Sequence, residues 1–537
     1  MTPSELPSQL LQVATLLRER GQLPQAEDAF RQALQRAPDD LAARHGLALT
    51  LTDLGRFAEA TRECRALLER EPELPELWML LGYLHHHQNQ LPEAEAAYRR
   101  VLVLQPGNAV ACHHLGAVLG RMDLAEEALA MLQRAQHLGA TGTDFKLNLA
   151  RCFALLNRVA DAERAYVEVL TGQPLLVEAQ VNLARLRFMR GDTDYSRTLA
   201  LACVAHPSHT GLQLALAVVL RHAGQLEMAE RHLRETLARL GPLPELRSEL
   251  AQVLFESGRL PQAEVEALAA ATARPGDSMI VETLVAVLLS RGQPEEAWPF
   301  IQTQRQRQPL LQNWIAHEAI AARLLRRGEY GKLYDYDRFI RTYELEAPRG
   351  WSSMAQFNAD LLAALRQRHQ YAAHPFDQSL RHGSQTARNL LAEPEPVIKA
   401  LLAAFQAPLR AYLAELGADP AHPFTARNTG RAAILGAWSV WLGREGHHVN
   451  HVHPDGWISS AYYVEVPAEV QDPNLKAGWL RFGEPRFAVP EATPERFVQP
   501  LPGRLVLFPS YFWHGTNPIH GERPRVSVAF DAVPSRR

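Results

Sequence analysis

A loop-forming residue followed five positions later by a small one recurs through the N-terminal part of this chain, at Gly21/Ala26, Gly55/Ala60, Asn89/Ala94, Asp123/Ala128, Asn157/Ala162, Gly191/Ser196, Gly224/Ala229, Gly258/Ala263 and Gly292/Ala297. The step is 34 residues, with a single 33 between Gly191 and Gly224. Prolines keep the same beat at Pro38, Pro72, Pro106, Pro174, Pro207, Pro275 and Pro309. A period of this size marks stacked supersecondary units, none of which can bury its apolar face alone. Gly or Asn supplies the turn between two amphipathic helices, and proline cannot continue the second. The period predicts nine two-helix units over about residues 8 to 335, stacked into a superhelix with a concave surface.

The third unit carries the fullest set of markers, namely Trp78, Leu81, Gly82, His85, Ala94, Tyr98 and Pro106. This resembles the tetratricopeptide repeat pattern W-x2-L-G-x2-Y…A-x3-F…P, with His85 in place of the tyrosine. The resemblance implies a surface that docks a protein or peptide segment, the alternative being a rigid spacer or dimerisation arm. The runs His85-His86-His87 and His113-His114 do not make a chelate, because neighbouring residues on a helix face different directions. They read as groove-lining or solvated side chains.

At 537 residues the chain is long enough for about three domains. A net charge of −3 and a near-neutral isoelectric point give no electrostatic footprint for nucleic acid. Arg, Glu or Gly interrupts the longest apolar stretches, so no membrane span is expected. The N-terminus lacks the basic start and apolar run of a signal peptide, which leads us to expect a cytoplasmic protein. Cys64, Cys112, Cys152 and Cys203 lie far apart and read as buried small residues. Any metal is therefore expected on histidine and carboxylate.

The 34-residue beat fades after Tyr330. Residues 341–430 read as a helical joining segment, interrupted by the polar stretch His374 to Thr386, which suits either one rim of an active site or a turn that docks helices on a sheet. From 431 to 537 the texture changes to short β-rich runs separated by Gly and Pro, the pattern of a small sandwich or barrel. There His451, His453 and Asp455 occupy alternate positions, which in an extended chain point to one face. His514 arrives 61 residues after His453, and Arg525 follows it in a strand-like run. Two histidines and a carboxylate on one face of iron(II) leave positions open for a co-substrate and oxygen.

At this point the chain resembles the iron(II)- and 2-oxoglutarate-dependent oxygenases. The resemblance implies a multidomain chain: an all-α tetratricopeptide superhelix (1–340), a helical lead-in (341–430), and a double-stranded β-helix, or jelly-roll, oxygenase domain (431–537). It implies Fe(II), 2-oxoglutarate and O2 as the reacting set, with metal ligands His453, Asp455 and His514. A register shifted by two would instead pair His451 with His453, giving a three-histidine site with Asp455 directly behind the ligands. Asp455 is preferred because a carboxylate lowers the site's net charge and suits oxygen activation. Arg525-Val-Ser527 resembles the family's R-x-S pair, which holds the far carboxylate of 2-oxoglutarate. Tyr463 stands where relatives place a further hydroxyl, whereas Tyr462 is expected to pack on the opposite side. Joined to a peptide-binding array, such a domain is expected to hydroxylate a side chain of a docked protein or peptide. The alternatives are a small-molecule oxygenase and a catalytically silent interaction scaffold.

Overall fold

The computed structural model describes residues 5–369, 378–386 and 388–535, which pack as two compact units, 1–173 and 174–537. The first unit consists of five antiparallel helix pairs, from Glu5–Glu19 with Leu23–Arg36 to Thr143–Leu155 with Val159–Gly172. All nine loop markers adopt positive φ, from Asn157 at 55° to Gly191 at 93°. Glycine enters this left-handed region freely, and Asn and Asp more readily than other residues. The second helix of a unit stops two to four residues before each proline, as at Arg36 before Pro38 and Leu68 before Pro72. Small residues make the close approaches. A Cβ on Gly82 would lie 2.6 Å from the buried ring of Tyr98, and Ala94 is fully buried.

The second unit opens with further helix pairs, from Val177–Arg190 with Arg197–Ala205 to Ser278–Ser290 with Pro294–Arg307. A partial tenth unit lies within the expected span of about 8 to 335 but beyond the nine units counted from the markers. Helix Gln312–Leu324 is followed by Arg326 at φ 53°, 34 residues after Gly292, and by the short helix Glu329–Leu333.

Nine strands follow among the described residues: β1 (Arg341–Glu344), β2 (Leu380–Gln385), β3 (Ala432–His448), β4 (Ile458–Glu465), β5 (Leu480–Phe482), β6 (Arg496–Val498), β7 (Arg504–Pro509), β8 (His514–Thr516) and β9 (Arg525–Pro534). They form an antiparallel six-stranded sheet of order β1-β7-β4-β9-β3-β2 and a three-stranded sheet of order β6-β5-β8. The C-terminal region is thus β-rich, with two antiparallel sheets that do not close on each other among the described residues, so the expected double-stranded β-helix is matched only as far as a β-rich region. Within the polar stretch His374 to Thr386, residues 374–377 lie outside the described residues, and Leu380–Gln385 form the edge strand β2 instead of a loop.

One apolar core runs from the last repeats through the joining helices to the strands. It contains Ala251, Leu284, Trp314, Phe339, Phe357, Tyr412, Trp457, Tyr463, Tyr511 and Phe530. The boundary expected at residue 340 falls inside this core. The stretch Pro396–Leu416 is long and apolar enough to cross a membrane by length and composition alone, contrary to the sequence reading. It divides into helices Pro396–Ala404 and Gln406–Leu416, whose Leu401, Leu409 and Tyr412, with Phe405 between the helices, are buried in this same core.

Candidate metal centre

The last repeat helices grip the segment that delivers His514. Tyr334 donates its hydroxyl to the Tyr511 carbonyl at 3.0 Å and accepts the Trp513 amide at 3.0 Å. Tyr511 in turn donates to the Leu333 carbonyl at 2.7 Å. His317, on helix Gln312–Leu324, packs edge-on against Trp513 and stacks on Phe487. Arg323, on the same helix, donates to the carbonyls of Gly483, Glu491 and Thr493, so the 483–495 segment lies against the repeats.

His514 and His451 form an antiparallel bridge, with N···O distances of 2.8 and 3.1 Å. Gly515 makes this approach possible, since a Cβ there would lie 2.3 Å from Asn450 Oδ1 and 2.9 Å from the His448 carbonyl. Asn450 is buried and held by Glu484 and Arg481. Among the described residues, His451, His453 and His514 form the one group of three candidate ligands, their ligand atoms all within 4.8 Å of one another. The Nδ1 atoms face acceptors only: the Val449 carbonyl at 2.9 Å for His451, the Phe512 carbonyl at 2.8 Å for His514, and Asp531 Oδ2 at 2.6 Å for His453. Each Nδ1 therefore carries the proton, and each Nε2 keeps a free lone pair. The Nε2 atoms of His451 and His453 are 3.1 Å apart. Two cis ligands on a metal–nitrogen bond of about 2.1 Å stand about 3.0 Å apart, so the spacing suits a shared cation.

Burial holds the His451 and His514 imidazoles neutral. His451 is pushed down to about 3, by desolvation first and then by the neighbouring His453. His514 and His448 are also held well below the usual histidine range, again chiefly by burial. His448 pairs through Nδ1 with Ser379 Oγ at 2.9 Å, and that hydroxyl is also 3.4 Å from His451 Nε2. The described end of the polar stretch 374–386 thus reaches the site.

Asp455 does not join the group. Pro454 and the buried Gly456 set it in an exposed turn, on a surface cleft of about 430 Å³ shared with Gln308–Leu311 and Arg427. The turn at Pro454 and Asp455 ends the alternation of a strand before Asp455, and Gly456 packs tightly on Ser510, where a Cβ would lie 2.4 Å from Oγ. The structure brings together His451, His453 and His514, the shifted register of the sequence reading.

The neighbouring face of β9 carries a candidate anion site. Arg525 and Ser527 lie opposite Leu442 and Val440 of β3, and Ser527 also lies opposite Tyr463 of β4, so their side chains share a face. Arg525 is 2% exposed, and its guanidinium sits 5.0 Å from the Tyr463 ring centre. Among the described residues, its Nε and Nη1 and the Tyr463 hydroxyl have no hydrogen-bond partner. Burial pulls the arginine below its ordinary pKa and raises the tyrosine, the latter shift partly offset by the guanidinium. A buried cation with unsatisfied N–H groups fits a carboxylate brought by a ligand. Tyr462 points the other way, donating to Asn358 Oδ1 at 2.6 Å. The four cysteines are buried and free.

Residues 436–531 match the family described as "Putative 2OG-Fe(II) oxygenase", and 11–64, 45–109 and 214–278 match the tetratricopeptide repeat family. The chain therefore carries tetratricopeptide repeats in its N-terminal region and a C-terminal domain of the 2OG-Fe(II) oxygenase type. Curated relatives include the protein O-mannosyl-transferase Tmtc3 of Drosophila melanogaster, 30% identical over 25% of this chain and 15% of that protein. The CTR9 homolog of Arabidopsis thaliana is 28% identical over 37% of this chain and 19% of its own length. The chain thus spans less than a fifth of the length of these relatives. Among solved structures, a tetratricopeptide repeat protein from Parabacteroides merdae is 13% identical, covering 53% of this chain and 99% of its own, with a TM-score of 0.38. The pilF protein of Pseudomonas aeruginosa is 19% identical, covering 39% and 96%, with a TM-score of 0.34.

Proposed function

We propose that this chain is an iron(II)- and 2-oxoglutarate-dependent oxygenase that hydroxylates a side chain of a docked protein or peptide. One observation carries the reading: three imidazoles turn free lone pairs to one point, in the same β-rich region as a buried arginine whose Nε and Nη1 lack an acceptor among the described residues. His451, His453 and His514 would hold the metal, and Arg525, Ser527 and Tyr463 the far carboxylate of 2-oxoglutarate. Bound iron(II) with this co-substrate and O2 supplies the oxidising chemistry, giving succinate, carbon dioxide and a hydroxylated product. The chain's own residues orient and exclude. Phe482, Phe508 and Trp438 pack around the imidazoles and keep water from the site, while Tyr334 and Tyr511 fix the entry to β8.

A macromolecular substrate is favoured by the cleft that carries Asp455. It joins a repeat loop, Gln308–Leu311, to Pro454–Gly456, the segment directly after His453. A peptide laid there would be held by the repeats and presented beside the metal centre, so that binding remote from the reacting atom adds to affinity. The test is succinate release by anaerobically purified protein given Fe(II), 2-oxoglutarate and then air, with protein-sized or low-molecular-weight fractions of a cell extract. Stimulation by the protein fraction, with one oxygen atom added to a peptide, is expected. Stimulation by the small-molecule fraction alone contradicts the peptide substrate, and absence of both iron binding and succinate contradicts the enzyme.

A further inference from the structure

The ligand set of this centre contains no carboxylate, yet one stands a single hydrogen bond behind it. Asp531 lies on β9 at the same parity as Arg525 and Ser527, so all three face one side of the sheet. Its Oδ2 accepts from His453 Nδ1 at 2.6 Å, and its Oδ1 accepts from Ser459 Oγ at 2.7 Å. Ser459 is itself bonded to Ser510 Oγ at 2.8 Å, and the Ser510 carbonyl accepts the His453 amide at 3.0 Å. Ser459 and Asp531 are register partners across β4 and β9, so two paired strands set the carboxylate's position. His453 is pinned at both its backbone and its ring.

Resting on the oxygenase reading above, we infer that Asp531 is the carboxylate of this metal centre acting at one remove, a positioning residue that fixes the His453 tautomer and supplies the negative charge absent from the ligands. The charge count supports it. Three neutral imidazoles leave iron(II) with two positive charges, 2-oxoglutarate brings two negative ones, Arg525 adds one positive, and Asp531 brings the sum to zero. The side chains of His453 and Asp531 are only 15% and 14% exposed, so water does little to screen that charge. Carboxylates that accept from metal-bound histidines raise the basicity of the ligand, and their loss weakens metal binding by about 10–100-fold.

The experiment compares the full-length protein with Asp531→Asn, which keeps shape and an acceptor oxygen but removes the charge, and with Ser459→Ala, which frees the carboxylate from its anchor. Anaerobic Fe(II) titration and the visible charge-transfer band formed on adding 2-oxoglutarate are read for each, with the thermal midpoint of the metal-free protein as the folding control. Asp531→Asn is expected to fold, to bind Fe(II) about 10–100-fold more weakly and to shift the band. Ser459→Ala is expected to weaken Fe(II) binding by a smaller factor in the same direction, which keeps the inference testable should the first variant not fold. Wild-type iron affinity and an unmoved band in a folded Asp531→Asn would overturn it, as would an unchanged Ser459→Ala if the first variant does not fold. A wild-type protein that binds no Fe(II) would instead overturn the oxygenase reading.

Discussion

Replacing Arg525 by methionine separates what the arginine costs the ligand-free protein from what it gives to binding. The guanidinium is buried, and among the described residues two of its nitrogens, Nε and Nη1, lack partners. Each unsatisfied buried polar group costs about 1–3 kcal/mol, so the pair costs about 2–6 kcal/mol. The contact with the Tyr463 ring at 5.0 Å returns part of this, about 2 kcal/mol for a desolvated cation over an aromatic face. Methionine fills most of the same volume, so the ligand-free variant is expected to lie between unchanged and about 4 kcal/mol more stable. A two-pronged charge-assisted contact with a carboxylate contributes about 3–6 kcal/mol, and its loss weakens 2-oxoglutarate binding by about 100-fold or more. Urea unfolding of metal-free protein gives the first quantity. Calorimetry with 2-oxoglutarate and the redox-inert Mn(II) gives the second. A variant less stable than wild type without ligands, or one that binds 2-oxoglutarate with wild-type affinity, would refute the reasoning.

His451→Ala is expected to lower Fe(II) affinity by more than the about 10–100-fold typical of a supporting residue, whereas Asp455→Ala leaves it within about threefold because the structure places that carboxylate outside the ligand group; the same anaerobic titration decides between the two registers. Gly82→Ala drives a Cβ to 2.6 Å from the Tyr98 ring, and overpacking of this kind costs about 1–3 kcal/mol, measurable as a lower unfolding midpoint of the first unit. His114 is held down to about 4, by burial first and by His113 next. Its folded pKa is below the unfolded value, so its stabilisation is full above about pH 6.5 and is lost as pH falls toward 4. At about 1.4 kcal/mol per unit this is at most about 3.5 kcal/mol, less after screening of its partly exposed ring. Unfolding midpoints at pH 7 and 4.5 should therefore differ less in His114→Gln than in wild type.

The repeats were readable because their markers are backbone requirements. Gly21, Asn89 and Asp123 announce a positive φ, and the structure shows it at each. The tenth turn escaped because Arg326 takes the same conformation without the residue type that signals it. Strand parity foretold that Arg525 and Ser527 share a face, and by the same parity Asp531 could have been found in RVSVAFD. The placement of Asp455 was not readable, because it depends on where the alternation stops, at the turn of Pro454 and Asp455 beside the tight packing of Gly456 on Ser510, more than fifty residues away. Nor did local pattern show that helices Gln312–Leu324 and Glu329–Leu333 brace the approach to His514, since this rests on Tyr334 and Tyr511 meeting across 177 residues of chain.

The most direct test of the account is an anaerobic structure of the full-length protein with Mn(II) or Fe(II) and 2-oxoglutarate. The account predicts one metal bound by the Nε2 atoms of His451, His453 and His514 as its only protein ligands, with the far carboxylate of 2-oxoglutarate on Arg525. A metal held by Asp455, or a co-substrate bound away from Arg525, would contradict it.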